Sequence, residues 1–454
     1  MILSGKREVI VRTEDLIKYD NEHLLHGLTP VKKNQGLVIE SADGVILKDT
    51  SGKTLMDLSA QAINVNLGHN HRGVLEAAKE QMDRLAFSFI LRGFANRPSI
   101  ELAQKLATIL PEGLDHFLWT QTGADTVDSA FRVANLYWKT KGTRKYKIIS
   151  LRNGYHGTSR GVARATNLAQ GIIEEMPPIP GHIHIPAYYC YRCAFDKEYP
   201  GCGLQCARFL EYTIENEGKD SVAAFIAEPE QGAAGFMAPP PEYFPMIREI
   251  CHKYDVLYID DEVMTGFTRT GKMFAVEHWN VVPDMMCLSK GIVAGYLPFG
   301  ALAVSSEIFE TLSGQFFPAG STESGNPICC AMASKCIDIY VKERIPEHVA
   351  QVGQLARSRM EKEFLSLPYV GTVDGLGLML AVEIVTDKKT KGRPSPGLTD
   401  IIQRRGVEKG ALLRVVSNRL GYSPPCTITQ EESERGLNIL YSVLSELKPR
   451  DLAQ

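Results

Sequence analysis

Residues 256–291 read VLYIDDEVMTGFTRTGKMFAVEHWNVVPDMMCLSKG, and their pattern decides the fold. Two short continuous apolar runs bracket the stretch, VLYI (256–259) and MMCL (285–288). Each ends on residues that can do chemistry, Asp261 after the first and Lys290 after the second. Further runs of this kind occur at KIISL (147–151), AAFIA (223–227) and FGALAV (299–304). Helical periodicity lies between several of them, at 127–139 and 242–253, and recurs at 72–88, 98–109, 327–345 and 430–447. Apolar strands separated by helices predict an α/β protein with a mostly parallel sheet covered on both faces.

The 454 residues suggest two to four domains at about 100–200 residues each. We expect an N-terminal arm with part of a small domain at 1–59, a large domain at 60–330 and a C-terminal small domain at 331–454. A strand is expected within GLVIESADGVILKD. Fifty basic against fifty-three acidic residues leave a net charge of -3, so nothing favours nucleic acid or an anionic membrane. No apolar run approaches the roughly 20 residues that span a bilayer, and the charged N-terminus has no signal-peptide core. A cytoplasmic location is expected.

Open α/β sheets bind ligands at the carboxyl ends of their strands. Lys290 stands there, and a lysine among apolar residues can have its amine pKa lowered and become a Schiff-base nucleophile. A lysine at a strand end is more often a surface residue. Asp261 shifts that balance, because a carboxylate at the neighbouring strand end can keep a pyridinium nitrogen protonated. In GADTVDSAFRVA (123–134), a glycine turn opens a helix whose free amides could cup a phosphate. Its acidic first turn fits ordinary capping as well. Gly154-Tyr155-His156-Gly157 places an aromatic where it could stack on a planar ring, or simply make a turn.

Together with AEPEQGAAG (227–235), DEVMTGFTRTG (261–271), LSKG (288–291), STESGNP (321–327) and LGLMLAVEI (376–384), these segments resemble the class III (ω-amino acid) aminotransferases. The match runs from about residue 36 to 445. Asp261 and Lys290, 29 residues apart, carry its most specific part. The resemblance implies pyridoxal phosphate as cofactor and fold type I, with a large domain plus a small α/β domain built from both chain ends. It implies that Lys290 holds the cofactor and shuttles the proton, and that Asp261 partners the pyridine nitrogen. Val263 and Tyr155 would cover the two ring faces, with His156 beside Tyr155. Gly123 and Ala124 would supply phosphate-binding amides, and Glu228 would lie near the cofactor. Thr322 would reach the phosphate of a neighbouring subunit, so a homodimer with shared sites is expected, possibly paired into a tetramer.

Two departures from the family pattern stand out. The phosphate turn reads Gln121-Thr122-Gly123-Ala124-Asp125-Thr126 where N-S-G-T-E-A is usual. Glu323 replaces the usual aromatic after Thr322. GFTRTGK (266–272) is not a P-loop, because Met273 follows it.

The resemblance implies an amine donor and an α-keto acid acceptor such as pyruvate or 2-oxoglutarate as substrates. The acceptor carboxylate calls for an arginine fork. Arg414, ten residues before Pro424, resembles the mobile arginine of ω-amine:pyruvate transaminases, with Arg419 as second candidate. Ile63 stands where that subgroup often has an aromatic. Phe87, Phe89 and Arg92 lie in a segment that usually lines the partner's pocket, and Arg92 could favour acidic donors such as taurine or β-alanine.

Cys190, Cys193, Cys202 and Cys206 form two close pairs, readable as a metal knuckle or as reduced thiols in a folded loop, the latter favoured by their short spacing. No metal is expected. The reading is a ping-pong aminotransferase. Its rivals are a racemase or epimerase on the same fold and a silent scaffold protein. The intact set of Lys290, Asp261, Tyr155 and Thr322 argues against the scaffold.

Overall fold

The computed structural model describes residues 12–31, 36–168 and 176–453. Its largest sheet has seven strands: β1 (His116–Thr120), β2 (Lys147–Leu151), β3 (His182–Ile185), β4 (Val222–Ala227), β5 (Leu257–Asp261), β6 (Met285–Leu288) and β7 (Gly300–Val304). Their spatial order is β1-β7-β6-β5-β4-β2-β3. β7 runs antiparallel to both of its neighbours and the remaining pairs are parallel. Every residue of β4, β5, β6 and β7 is buried, which is why these strands read as unbroken apolar runs.

The sequence pattern misses β1 and β3. Both lie at the edges of the sheet and are half-exposed along most of their length, so they carry histidine instead of a continuous apolar run. The expected strand in GLVIESADGVILKD is a hairpin, Ile39–Asp43 paired antiparallel with Ile46–Asp49.

Helix α1 (Gly123–Thr140) follows β1 and packs its apolar side under the sheet. Helix α2 (Pro327–Lys342) runs unbroken through position 330, so the chain has no linker there. Beyond it a four-stranded antiparallel sheet forms from β8 (Val370–Leu376), β9 (Met379–Ile384), β10 (Arg414–Val416) and β11 (Arg419–Tyr422). Helix α3 (Leu398–Glu408) lies between β9 and β10 in the chain. The chain ends meet where Thr54–Asp57 pairs in parallel with Ala411–Leu412.

Two buried arginines tie these parts together. Arg269, at the end of the DEVMTGFTRTG segment, donates to the Pro424 carbonyl and to Asn66 Oδ1 at 2.7 Å. Gly377 (φ +53°) fits against it only without a side chain, since a Cβ would lie 2.4 Å from the Thr270 carbonyl carbon. Arg419 is committed to Glu383 (3.1 Å), Asp374 (3.2 Å) and the carbonyls of Gly235 (2.6 Å) and Phe236 (2.8 Å). That network holds Arg419 in place and leaves it no swing toward a substrate. Among the described residues no helix is long and apolar enough to cross a membrane.

Replacing Arg419 by alanine leaves Glu383 with Arg192 and Asn418 alone, and removes the buried contacts to Asp374 and to the Gly235 and Phe236 carbonyls. The expected cost is about 3–5 kcal/mol, read as a fall in the midpoint of denaturant unfolding. An unchanged midpoint would show that the network does not brace the fold.

Candidate active site

Strand pairing gathers the candidate residues along one edge of the large sheet. Asp261 is the last residue of β5 and pairs with Cys287 of β6, so Lys290 emerges beside it, just past the end of β6. Asp260 pairs with Ala227 of β4, which puts Glu228 next to Asp261. Tyr155 and His156 follow β2, and Gln121, Thr122 and Gly123 link β1 to α1. These residues, with Ala124, Val263 and Ser289, enclose a cavity of about 480 Å³.

The floor is polar and buried. Asp261 Oδ2 lies 2.6 Å from His156 Nδ1, and Oδ1 accepts from the Val263 amide at 3.1 Å. The other ring nitrogen of His156 is buried without a partner. Glu228 accepts from the Tyr155 amide (2.9 Å) and the Gly232 amide (3.0 Å). Its pKa is pushed up to about 7, chiefly by burial; His156 opposes the rise and Asp261 adds to it. Asp260 points to the opposite face of β5, as strand alternation requires. Both its oxygens are buried, and burial lifts its pKa well above the carboxylate range, with Glu262 and Asp261 adding to the rise and Tyr258 opposing it. The sequence analysis assigned nothing to Asp260, and only the doubled acid in YIDDEV hinted at it.

Lys290 adopts a left-handed backbone (φ +44°) at the start of a short turn, a conformation a non-glycine residue holds only when its surroundings force it. Its amine has no hydrogen-bond or ion-pair partner among the described residues. Burial, helped by Arg414, lowers its pKa to about 8, while Glu228 and Asp261 act in the other direction. About a tenth of the amine is therefore uncharged at pH 7, far more than an ordinary lysine would show.

The entry to α1 has the shape of an anion cup. Thr122 caps the helix by accepting from the Asp125 amide at 3.2 Å, and Asp125 accepts from the Gln121 amide at 3.0 Å. The acidic residue is thus used in capping, and the amides of Gly123 and Ala124, in the first turn, have no intrahelical acceptor. Gly123 presses on Val263, where a Cβ would come within 2.6 Å of Cγ1. Pyridoxal phosphate fits this chemistry: an anion cup at one end of the cavity, a carboxylate on its floor, and a reactive amine on its wall.

The two departures from the family pattern meet in the structure. Gln121 Nε2 donates to Glu323 Oε2 at 2.7 Å, linking the phosphate turn to the STESGNP loop. That loop is braced internally by Ser321 and Ser324 and packs on the segment around Ile90 through Gly325.

A second cavity of about 860 Å³ shares Lys290, Tyr155 and Met264 with the first. Arg414 lines it, with its Nε buried and unpartnered and its guanidinium 6.0 Å from the Phe236 ring. Ile63 does not line it. A left-handed turn at Ala60–Ile63 turns Ile63 into a small cluster with Phe236, Met264 and Met379, and leaves Ala62 on the cavity wall instead. Phe89, Arg92 and Thr322 are exposed and touch neither cavity of their own chain.

The four clustered cysteines line one small recess and are free. Burial pushes the thiols of Cys190 and Cys206 up to about 11. Among the described residues no group of three or more His, Cys, Asp or Glu is arranged to hold a metal ion.

A mixed sheet with a lysine, an aspartate and an anion cup at its carboxyl edge defines a fold type I pyridoxal phosphate enzyme. Residues 29–444 match the family model described as aminotransferase class-III, and the chain belongs to that family. It is 36% identical over 423 residues to the putrescine–pyruvate aminotransferase of Pseudomonas aeruginosa, covering 92% of each chain. It is 33% identical to the adenosylmethionine-8-amino-7-oxononanoate aminotransferase of Geobacter sulfurreducens, covering 92% of this chain and 95% of the other. Its structure resembles a thermostable (S)-enantioselective ω-transaminase from Thermomicrobium roseum, with a TM-score of 0.92 and 38% identity over 95% of this chain and 98% of that one. An ω-transaminase from Pseudomonas jessenii, solved in complex with PMP, matches with a TM-score of 0.91 and 32% identity over 95% and 98%. The protein is a pyridoxal phosphate-dependent aminotransferase. The racemase alternative finds no support among these relatives.

Two outcomes follow. Covalent capture of pyridoxal phosphate by cofactor-free protein should quicken as pH rises and level off above about 8, where Lys290 is mostly uncharged. Lys290→Ala should abolish it, and a rate that does not respond to pH between 6 and 9 would contradict the lowered pKa. Gln121→Ala and Glu323→Ala should each speed cofactor release about two- to tenfold, the worth of one hydrogen bond, with the double variant no faster than either alone. Additive effects would mean the two residues act separately.

Proposed function

We propose that the enzyme transfers an amino group from an ω-amino acid or related primary amine to an α-keto acid in a ping-pong sequence. The supporting observation is Arg414, a buried cation with an unpartnered Nε, on the wall of the cavity that also holds Lys290. A carboxylate entering that cavity would find a guanidinium donor beside the reactive amine.

When bound, pyridoxal phosphate supplies an aldehyde for the amine and a ring that takes up the electron pair released at the substrate carbon. The residues divide the remaining work. The amides of Gly123 and Ala124 would hold the phosphate, with the positive end of α1 behind them. Asp261, oriented by His156 and the Val263 amide, would keep the ring nitrogen protonated. Val263 and Tyr155 would pack against the ring. Lys290 removes a proton from the substrate carbon and delivers it again from Nζ, a task suited to an amine whose pKa lies near the working pH. Glu228 ties the Tyr155 turn to the segment at Gly232, accepting one amide from each.

The functional unit we propose is a homodimer in the cytoplasm. Thr322, Phe89 and Arg92 lie off their own chain's cavities, and Phe87, Phe89, Phe94 and Phe316 are exposed. An apolar surface of that kind suits a subunit contact that would bring these residues to a partner's site. All ten cysteines are free, as a reducing compartment allows.

The test is a visible absorption spectrum of the cofactor-loaded enzyme. Adding β-alanine, taurine or an alkyl amine without a keto acid should bleach the visible band, and pyruvate should restore it. A band that no amine in such a panel bleaches would overturn the reading.

A further inference from the structure

The 860 Å³ cavity carries a second cation that the proposed chemistry does not use. Arg393 lies in the loop between β9 and α3, on the wall that also holds Lys290 and Arg414. Arg414 is the inner of the two, mostly buried and close enough to help lower the Lys290 pKa. Arg393 is exposed, at the rim. Pro394 follows it and disfavours a helical backbone at Arg393, so the arginine sits on a stiffened support.

The charges around Arg393 leave it available. It borders a smaller recess shared with Arg192, Glu383 and Arg419. Glu383 is already bound to Arg192 at 2.5 Å and to Arg419 at 3.1 Å, and Asp374 to Arg419 at 3.2 Å. Asp400, the acidic residue on the same cavity wall, is itself engaged. Arg393 lies near enough to Glu383 to oppose the rise in that carboxyl's pKa, but among the described residues the ion pairs of Glu383 are with Arg192 and Arg419. Among the described residues, the rim therefore has more arginines than carboxylates.

We propose that Arg393 is a specificity-determining residue that binds the distal carboxylate or sulfonate of a long ω-amino donor, while Arg414 serves the short α-keto acid. The proposal rests on the transamination reading above. A keto acid such as pyruvate has its carboxylate next to the reacting carbon, so that group stays deep, within reach of Arg414. An ω-amino acid reacts at one end and carries its anion at the other, so lengthening the chain moves the anion outward to the rim. The same arrangement disfavours diamines, whose far ammonium would meet Arg393.

The test uses cofactor-loaded enzyme and reads the rate of bleaching of the visible band in single half-reactions. Donors are paired by length: 4-aminobutyrate with butylamine, and 6-aminohexanoate with hexylamine. The wild-type protein should favour the acid of the longer pair by about tenfold or more, as expected for a charge-assisted contact. Arg393→Ala should erase that preference through a raised half-saturating concentration, with the limiting rate and the pyruvate half-reaction unchanged. Arg393→Lys, which keeps the charge without the fork, should retain part of it. A wild type without preference, an Arg393→Ala variant that keeps it, or an equal loss on hexylamine would each overturn the proposal. If no amine bleaches the band, the transamination reading fails instead, so the two failures are distinguishable.

Discussion

The structure depends on keeping the carboxylate of Asp261 buried. Burying an ion costs several kcal/mol unless its oxygens are satisfied. Here one oxygen meets His156 Nδ1 and the other the Val263 amide. Those two contacts join the loop after β2 to the strap after β5, and β5 is held between β4 and β6. The site is therefore a product of strand register. A shift of one residue in β5 would turn Asp260 inward and Asp261 outward. Asp260 shows what that costs, since burial drives its pKa far up.

The chemistry at Lys290 has the same origin. Its pKa is lowered because the fold buries it and places Arg414 close by, with Glu228 and Asp261 offsetting part of the effect. Glu228 moves the other way, up to about 7, again chiefly through burial. An amine and a carboxyl group displaced toward neutrality in adjoining cavity walls fit proton transfer at physiological pH. Arg269 and Arg419 do a different task. Both are buried, and both spend their hydrogen bonds on carbonyls, an asparagine or carboxylates that join distant segments of the chain. Four arginines near the site thus separate by partner: Arg269 and Arg419 are structural, whereas Arg393 and Arg414 face open space.

Much of this was legible in the chain. The buried strands are continuous apolar runs because both faces are covered, and their ends mark Asp261 and Lys290 at the ligand edge, whereas Glu228 was legible only through the family resemblance. The helix opening at Gly123 was legible too, since a glycine turn followed by an acidic first turn has few other uses. The edge strands β1 and β3 were not legible, because a half-exposed strand need not be apolar. Glu323 had no explanation until the fold set it against Gln121, a contact between positions 202 residues apart.

Ile63, Arg414 and Arg419 show where one-dimensional reading stops. Spacing from Pro424 could nominate both arginines, yet only packing decided that one is locked by Glu383 and Asp374 and the other lines a cavity. Motif alignment put Ile63 at the pocket, and a left-handed turn of the backbone removed it to a neighbouring cluster. The order and type of the residues determined the sheet, its ligand edge, the family and the cofactor, because strand burial and strand-end chemistry are local properties. The orientation, pairing and pKa of each group were decided by the tertiary structure, because they depend on which distant segments are brought within a few ångströms.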